Sequence, residues 1–295
     1  MTQLFRGAGV ALITPFKTDY TIDYNRLEKL VDDQISAGMD YLVALGTTAE
    51  TPTLSATEKK EVVACIRSRI NRRVPLLVGM GGNDPARVIK MIRETDFDGI
   101  NGILSVTPYY NKPSQEGLET YFREIARFSP VPVVLYNVPS RTGVNMLGET
   151  TLRLAGACPS VVAVKEAAGD LGQAAAIIRE APEHFALISG DDALTLPLMA
   201  LGSSGVISVA ANAVPGHMAE LVHMASEGNF VQARKIHLQL SRLFRLLFRE
   251  GNPAGIKALM EITGKASNTV RLPLTPVSRE LYGAMEKEME QIEAR

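Results

Sequence analysis

The 295-residue sequence predicts a (β/α)8 TIM barrel, an α/β fold, with a C-terminal helical extension. Three observations predict it. Eight short apolar segments recur, each with the β-branched bias of a strand buried on both faces. Helical patterns separate them, and strand–helix alternation of this kind builds a parallel sheet. The third observation counts against the alternative, a doubly wound open sheet. Gly7-Ala8-Gly9-Val10-Ala11-Leu12 lacks the third glycine of a phosphate-binding fingerprint, and Gly79-Met80-Gly81-Gly82 fails the same test, so both read as tight turns.

Strands are expected at about 9–15 and 41–45, with a helix between them opened by Asp23. Its apolar face is Leu27, Leu30, Val31 and Ile35, and Gly38 is the stop. Ser55-Ala56-Thr57-Glu58 is a capping box leading into Val62, Val63, Ile66 and Ile70, ahead of a strand at 76–79. Asp84-Pro85 places a cap and a first-turn proline before Val88, Ile89 and Ile92. Further strands are expected at 102–106, 133–137, 161–165, 186–189 and 205–209. Beyond about residue 217 only helical patterns remain, including 230–248 with its Ile236, Leu240, Leu243 and Leu247 face. The expected division is a barrel over residues 1–216 and a helical segment over 217–295 packed on it, with no low-complexity linker between.

Composition excludes several classes of function. A hydrophobic content of 46% and a charged content of 21% suit a soluble protein with a large core. A formal net charge of −1, with no tryptophan and no basic stripe, leaves no footprint for nucleic acid. No apolar run approaches the roughly 20 residues a membrane helix needs. Residues 1–7 lack the build of a signal peptide and are too short for an Arg-rich transit peptide. Cys65 and Cys158 show neither disulfide nor zinc spacing, which points to a reducing cytoplasm. His184, His217, His223 and His237 fall on helical patterns without ligand spacing, so no metal is expected.

The predicted strands end in unusually polar residues, where barrel enzymes keep their chemistry. Lys165 is the most telling, because it closes an otherwise apolar run, Val161-Val162-Ala163-Val164. Burial disfavours the charged form of an amine, and a neutral amine attacks ketones to give a Schiff base. A keto-acid enzyme of this kind also needs donors for a carboxylate, which Thr47 and Thr48 offer. It needs a proton relay, for which Tyr136 on the neighbouring strand is placed, and Arg141 presents a fork for a second anion. Each has a plainer reading: a snorkelling lysine, a threonine turn, a packing pair at Tyr109-Tyr110, a solvated surface arginine. Asp191-Asp192 without a histidine or a third acid reads as a helix cap, not a metal site.

These residues carry a family resemblance. Gly46-Thr47-Thr48-Ala49-Glu50, Val106 through Pro113, Leu135 through Gly143, Val164-Lys165, Ser189-Gly190-Asp191-Asp192 and Gly205 through Val209 together resemble the dihydrodipicolinate synthases. These form a branch of the pyruvate-dependent class I aldolase and lyase family, and the likeness spans essentially the whole chain. The resemblance implies an imine between Lys165 and pyruvate, with no metal or organic cofactor. It implies that Tyr136 shuttles protons, linked through Thr47 to Tyr110, and that Tyr110 reaches into a neighbouring subunit's site. Thr48 would hold the pyruvate carboxylate, Arg141 would gather L-aspartate 4-semialdehyde, and Gly190 and Ile207 would line the pocket. The implied product is 4-hydroxy-tetrahydrodipicolinate, at the first committed step of lysine and diaminopimelate synthesis. The implied assembly is a homotetramer of dimers.

Two departures stand out. Ala49 occupies a position where the family usually has glycine, which would strain a left-handed backbone. Lys59 and Arg87 replace a histidine and a glutamate that hold lysine in feedback-inhibited members, so lysine is expected to inhibit weakly or not at all. Two rivals remain. A sialic-acid lyase or keto-deoxy-sugar aldolase would keep Lys165 and Tyr136 but not Arg141 and the paired threonines. A catalytically silent relative acting as a binding protein is opposed by the intact lysine, tyrosines and threonines.

Overall fold

A computed structural model describes residues 4–294. Residues 1–3, the start of the segment read above for targeting, and residue 295 lie outside the described residues. Eight parallel strands close into a barrel in sequence order. They are β1 (Gly7–Ala11), β2 (Tyr41–Ala44), β3 (Leu76–Gly79), β4 (Gly102–Val106), β5 (Val133–Asn137), β6 (Val161–Glu166), β7 (Ala186–Ser189) and β8 (Gly205–Ser208). Around them run α1 (Tyr24–Ser36), α2 (Ala56–Ile70), α3 (Pro85–Arg93), α4 (Gln115–Phe128), the single turn α5 (Pro139–Thr142), α6 (Gly148–Ala157), α7 (Leu171–Glu180), α8 (Thr195–Leu201) and α9 (Pro215–Ser226). The chain continues through α10 (Phe230–Arg249), α11 (Ala254–Ile262) and α12 (Arg279–Glu293).

The pleat divides the strand residues into two sets, which is why the strands are apolar throughout. One set, with Val10, Leu42, Val78, Ile103, Leu135 and Val164, faces the helices. The other fills the barrel: Ala11, Tyr41, Val43, Leu77, Leu104, Val134, Tyr136, Ala163, Ile188 and Ile207. Tyr41 lies over Gly9 of β1, and its hydroxyl donates to the Val206 carbonyl of β8 at 3.1 Å. A Cβ on Gly9 would meet that ring at 2.3 Å, so only glycine fits there.

Beyond shifts of one residue at the ends of β2 and β6, three details differ from the sequence reading, each for a local reason. β1 starts and ends earlier than expected. Gly7 N–H already pairs with the Ser204 carbonyl, while past Ala11 the Ile13 N–H turns to the Asn212 side chain at 3.0 Å. β8 stops at Ser208 because the Val209 N–H donates to the Asp192 carboxylate at 3.1 Å. In α1 the deepest late position is Gln34, not Ile35, and its amide donates to the Ala211 carbonyl at 2.9 Å.

The predicted caps are present. Asp23 accepts from Arg26 N–H, Ser55 and Glu58 form a reciprocal capping box, and Asp84 caps α3 ahead of Pro85. α9 follows β8 and packs against β1, while α10 packs against α9, α11 and α12. The apolar face of α10 is buried at Ile236, Leu240, Leu243 and Leu247, as its periodicity requires. No described helix is long and apolar enough to cross a membrane.

Candidate active site

Strand register builds the centre of the site. Tyr136 on β5 and Lys165 on β6 are direct partners across the sheet, and both point into the barrel at its C-terminal end. Lys165 is 5% exposed, and its Nζ stands 4.5 Å from the centroid of the Tyr136 ring. Gly190, one residue past β7, lies against the lysine stem. A Cβ at 190 would fall 2.7 Å from Ala167 Cβ and 3.1 Å from Lys165 Cε. Ile207 of β8 belongs to the same inward cluster as Tyr136 and Ala163.

Above this centre opens a cavity of about 470 Å³. Thr47, Tyr109, Tyr136, Arg141, Thr142 and Asn252 share its wall with Lys59 and Glu50. Lys165 is not on the wall itself and sits behind Tyr136. The threonines follow β2 in a tight 3-10 turn, Thr47–Ala49. Ala49 has an ordinary right-handed backbone there, and the left-handed residue is Glu50, at φ 54°. The alanine is therefore unstrained, and its carbonyl accepts from the Thr14 hydroxyl at 2.8 Å.

Two expected site residues stand differently from a simple pocket lining. Thr48 is buried, and its hydroxyl accepts from Asn252 Nδ2 at 3.1 Å. Tyr110 is 90% exposed with φ 73° and takes no part in the cavity wall. Arg141 is exposed on the α5 turn, and its Nη2 donates to the Asn252 carbonyl at 3.0 Å.

Asn252 therefore ties Arg141 to Thr48, and sequence reasoning missed it. Its only local signal was Asn252-Pro253, a break between two helical patterns. The partners it joins lie 111 and 204 positions away, where no spacing rule reaches. Sequence reasoning also missed a closed ion pair behind the threonine turn, between Glu50 and Lys257 of α11 at 2.5 Å, both side chains fully buried. Burial pushes the Lys257 amine down to about 8, against the opposing pull of Glu50.

Beneath the other side of the centre, Glu166 accepts from Asn137, Gln173 and Ala168 N–H, and burial raises its carboxyl despite these bonds. Asp191 caps the short turn after β7 by accepting from Ala193 N–H at 2.8 Å, as its position predicts. Asp192 is wholly buried, and its Oδ2 accepts from Val209 and Ala210 N–H. Among the described residues no group of three or more His, Cys, Asp and Glu is gathered to hold a metal.

A closed parallel barrel with a buried lysine facing a tyrosine across β5 and β6, under a cavity that carries Thr47, Tyr136 and Arg141 on its wall, defines a barrel lyase. The chain belongs to the Dihydrodipicolinate synthetase family, which matches residues 4–292. It is 49% identical over 287 residues to the 4-hydroxy-tetrahydrodipicolinate synthase of Parabacteroides distasonis, covering 97% of each chain. Among solved structures it superposes on dihydrodipicolinate synthase from Thermotoga maritima with a TM-score of 0.96 at 37% identity, covering 99% of this chain and 100% of that one. It also superposes on the chloride-inhibited enzyme from Acinetobacter baumannii complexed with pyruvate, with a TM-score of 0.94 at 38% identity, covering 98% and 99%.

Proposed function

We propose that the protein is a 4-hydroxy-tetrahydrodipicolinate synthase, condensing pyruvate with L-aspartate 4-semialdehyde through a Schiff base on Lys165. The observation that carries this reading is the pairing of Lys165 with Tyr136 beneath a cavity walled by Thr47 and Arg141. The Lys165 amine attacks the keto carbon of pyruvate, and the carbinolamine loses water to give the imine. Loss of a proton from the pyruvate methyl gives the enamine, whose carbon attacks the aldehyde carbon of the semialdehyde. The new alkoxide takes up a proton. The adduct's own amine then displaces Lys165 from the former keto carbon, closing the ring and freeing the enzyme. One water leaves per turnover.

Tyr136 is the proton carrier at the carbinolamine, assisted by Thr47. Thr48, held by Asn252, presents the carboxylate-binding end of the threonine turn, with Gly190 and Ile207 shaping the space around the imine. Arg141, anchored on the Asn252 carbonyl, keeps donors for the semialdehyde carboxylate. The lysine serves as electron sink, so the reaction uses no metal or organic cofactor. Tyr110, turned outward from its own protomer, completes the Thr47–Tyr136 relay of a neighbouring subunit in a dimer, and dimers pair into a homotetramer. Residues 1–216 carry the chemistry, with the helical segment 217–295 packed on them, in a cytoplasmic enzyme.

Borohydride reduction in the presence of pyruvate tests this reading. The expected product is a stable pyruvyl adduct on Lys165, absent from Lys165→Ala. Condensation with aspartate semialdehyde but not with sugar aldehydes separates it from a sugar-acid aldolase. A trapped adduct that survives in Lys165→Ala would remove Lys165 from its role.

A further inference from the structure

The ion pair behind the threonine turn has a geometry that stability alone does not call for. Glu50 is the left-handed residue joining two successive 3-10 turns, Thr47–Ala49 and Thr51–Thr53. Its Oε1 meets Lys257 Nζ at 2.5 Å, and its Oε2 accepts from Arg271 N–H at 2.8 Å. Lys257 also donates to the Thr269 carbonyl at 2.9 Å and lies 3.9 Å from the centroid of the Phe16 ring. The Arg271 guanidinium packs on the same ring at 4.3 Å and pairs with Glu58 of α2. Taking two charges out of water at such a site is costly, and apolar side chains of similar volume generally hold a fold as well or better. A buried pair at this place is therefore weak evidence for stability as its purpose, and it holds its two elements in one geometry.

What that geometry serves is visible one turn earlier, at the residues that lead into the same helix. Lys257 lies in α11, which starts just after Asn252-Pro253. Asn252 holds the Thr48 hydroxyl with its side chain and Arg141 with its carbonyl. α11 and its leading residue therefore grip the threonine turn at two points, Thr48 and Glu50, and grip Arg141 at a third. We propose that Glu50 and Lys257 are positioning residues, setting where the Thr47–Thr48 turn and Arg141 stand relative to Lys165. The C-terminal helical segment is then a working part of the substrate site. This rests on the reading of the cavity as a keto-acid site.

The test compares E50Q, K257M and the double variant E50Q/K257M. Each single change strands one buried charge and lowers the melting temperature. The double variant strands none, so its melting temperature moves back toward that of the unmodified protein. Positioning predicts that its KM for pyruvate and for the semialdehyde nonetheless stays raised, by roughly tenfold or more, with a smaller change in kcat. Recovery of both melting temperature and KM in the double variant would reduce the pair to a stabilising contact and overturn the proposal. Should the double variant fail to fold, K257Q decides. Its amide is too short to hold Glu50 and Thr269 together, so a raised KM supports positioning and an unchanged KM refutes it. Failure of the underlying reading shows separately, as an unmodified protein that traps no pyruvate on Lys165.

Discussion

Lys165 Nζ stands 4.5 Å from the centroid of the Tyr136 ring because the two residues are register partners on adjacent strands. The distance is thus fixed by the sheet, not by a loop, and the reacting amine has little freedom to wander. Gly190 completes the confinement from the β7 side, its bare Cα lying against the lysine stem. Gly190→Ala would place a methyl 2.7 Å from Ala167 Cβ and 3.1 Å from Lys165 Cε, so the Ala167 segment must move and the lysine stem must give by a few tenths of an ångström. A misplacement of about 1 Å at a reacting centre costs up to about a hundredfold in rate, and a few tenths of an ångström costs a fraction of that. The expected outcome is a measurable fall in kcat and in the rate of borohydride trapping, with the fold retained by circular dichroism. Unchanged trapping would show that Gly190 does not set the lysine's place.

Arg141 differs from the lysine in being exposed and held by one main-chain contact, the Asn252 carbonyl. Its contribution should be confined to the second substrate. Arg141→Ala is expected to raise KM for aspartate semialdehyde by roughly tenfold or more, the size of a lost charge-assisted bond. Pyruvate trapping on Lys165 should proceed at the normal rate. Steady-state kinetics with each substrate varied in turn checks this, and an unchanged semialdehyde KM would take the clamp away from Arg141.

How much of this was legible in the sequence depended on how locally each feature is determined. The strands were readable because residues such as Val134 and Leu135 are apolar on both the lumen and the helix side. Lys165 and Tyr136 were readable as polar ends of those apolar runs. Asn252, Lys257 and Arg271 were not. Their partners Thr48 and Glu50 sit more than 200 positions away, and only the closed barrel brings them together. Whether Ala49 is strained was not legible for a related reason. The left-handed residue is its neighbour Glu50, and pattern alone does not say which residue of a turn carries positive φ. The burial of Gln34 in place of Ile35 likewise depends on carbonyls from the turn after β8.

Arg87 lies exposed at the start of α3 and pairs with Asp84 at 3.2 Å, while Lys59 reaches the cavity wall. Both cations stand where the family resemblance calls for a histidine and a glutamate facing a lysine inhibitor. The ammonium groups of such a ligand would meet like charge, which costs association several kcal/mol. Free lysine is therefore expected to inhibit weakly or not at all. Inhibition at sub-millimolar lysine, read from initial rates over a lysine titration, would show that another acceptor serves the ligand.

Asp192 supplies a pH signature distinct from that of the catalytic groups. Burial is the main cause that pushes its carboxyl up to about 6 from 3.8, with a smaller push from Asp191, against bonds from the Ser208 hydroxyl and the Ala210 and Val209 N–H groups. Between those two values the folded protein keeps a proton that the unfolded chain has released. The folded state then binds more protons, so this group's contribution to stability falls as pH rises through the window. Above it the whole penalty is present, about 3 kcal/mol at ~1.4 kcal/mol per tenfold change in affinity. Asp192→Asn keeps an oxygen to accept from Val209 and Ala210 and removes the titration. The melting temperature of the variant should therefore rise relative to the unmodified protein as pH climbs from about 4 to about 7 and hold a constant offset beyond. Paired thermal scans across that range measure it. An offset that does not vary with pH would mean that Asp192 is ionised throughout in the folded state, and that the N–H groups of Val209 and Ala210 outweigh its burial.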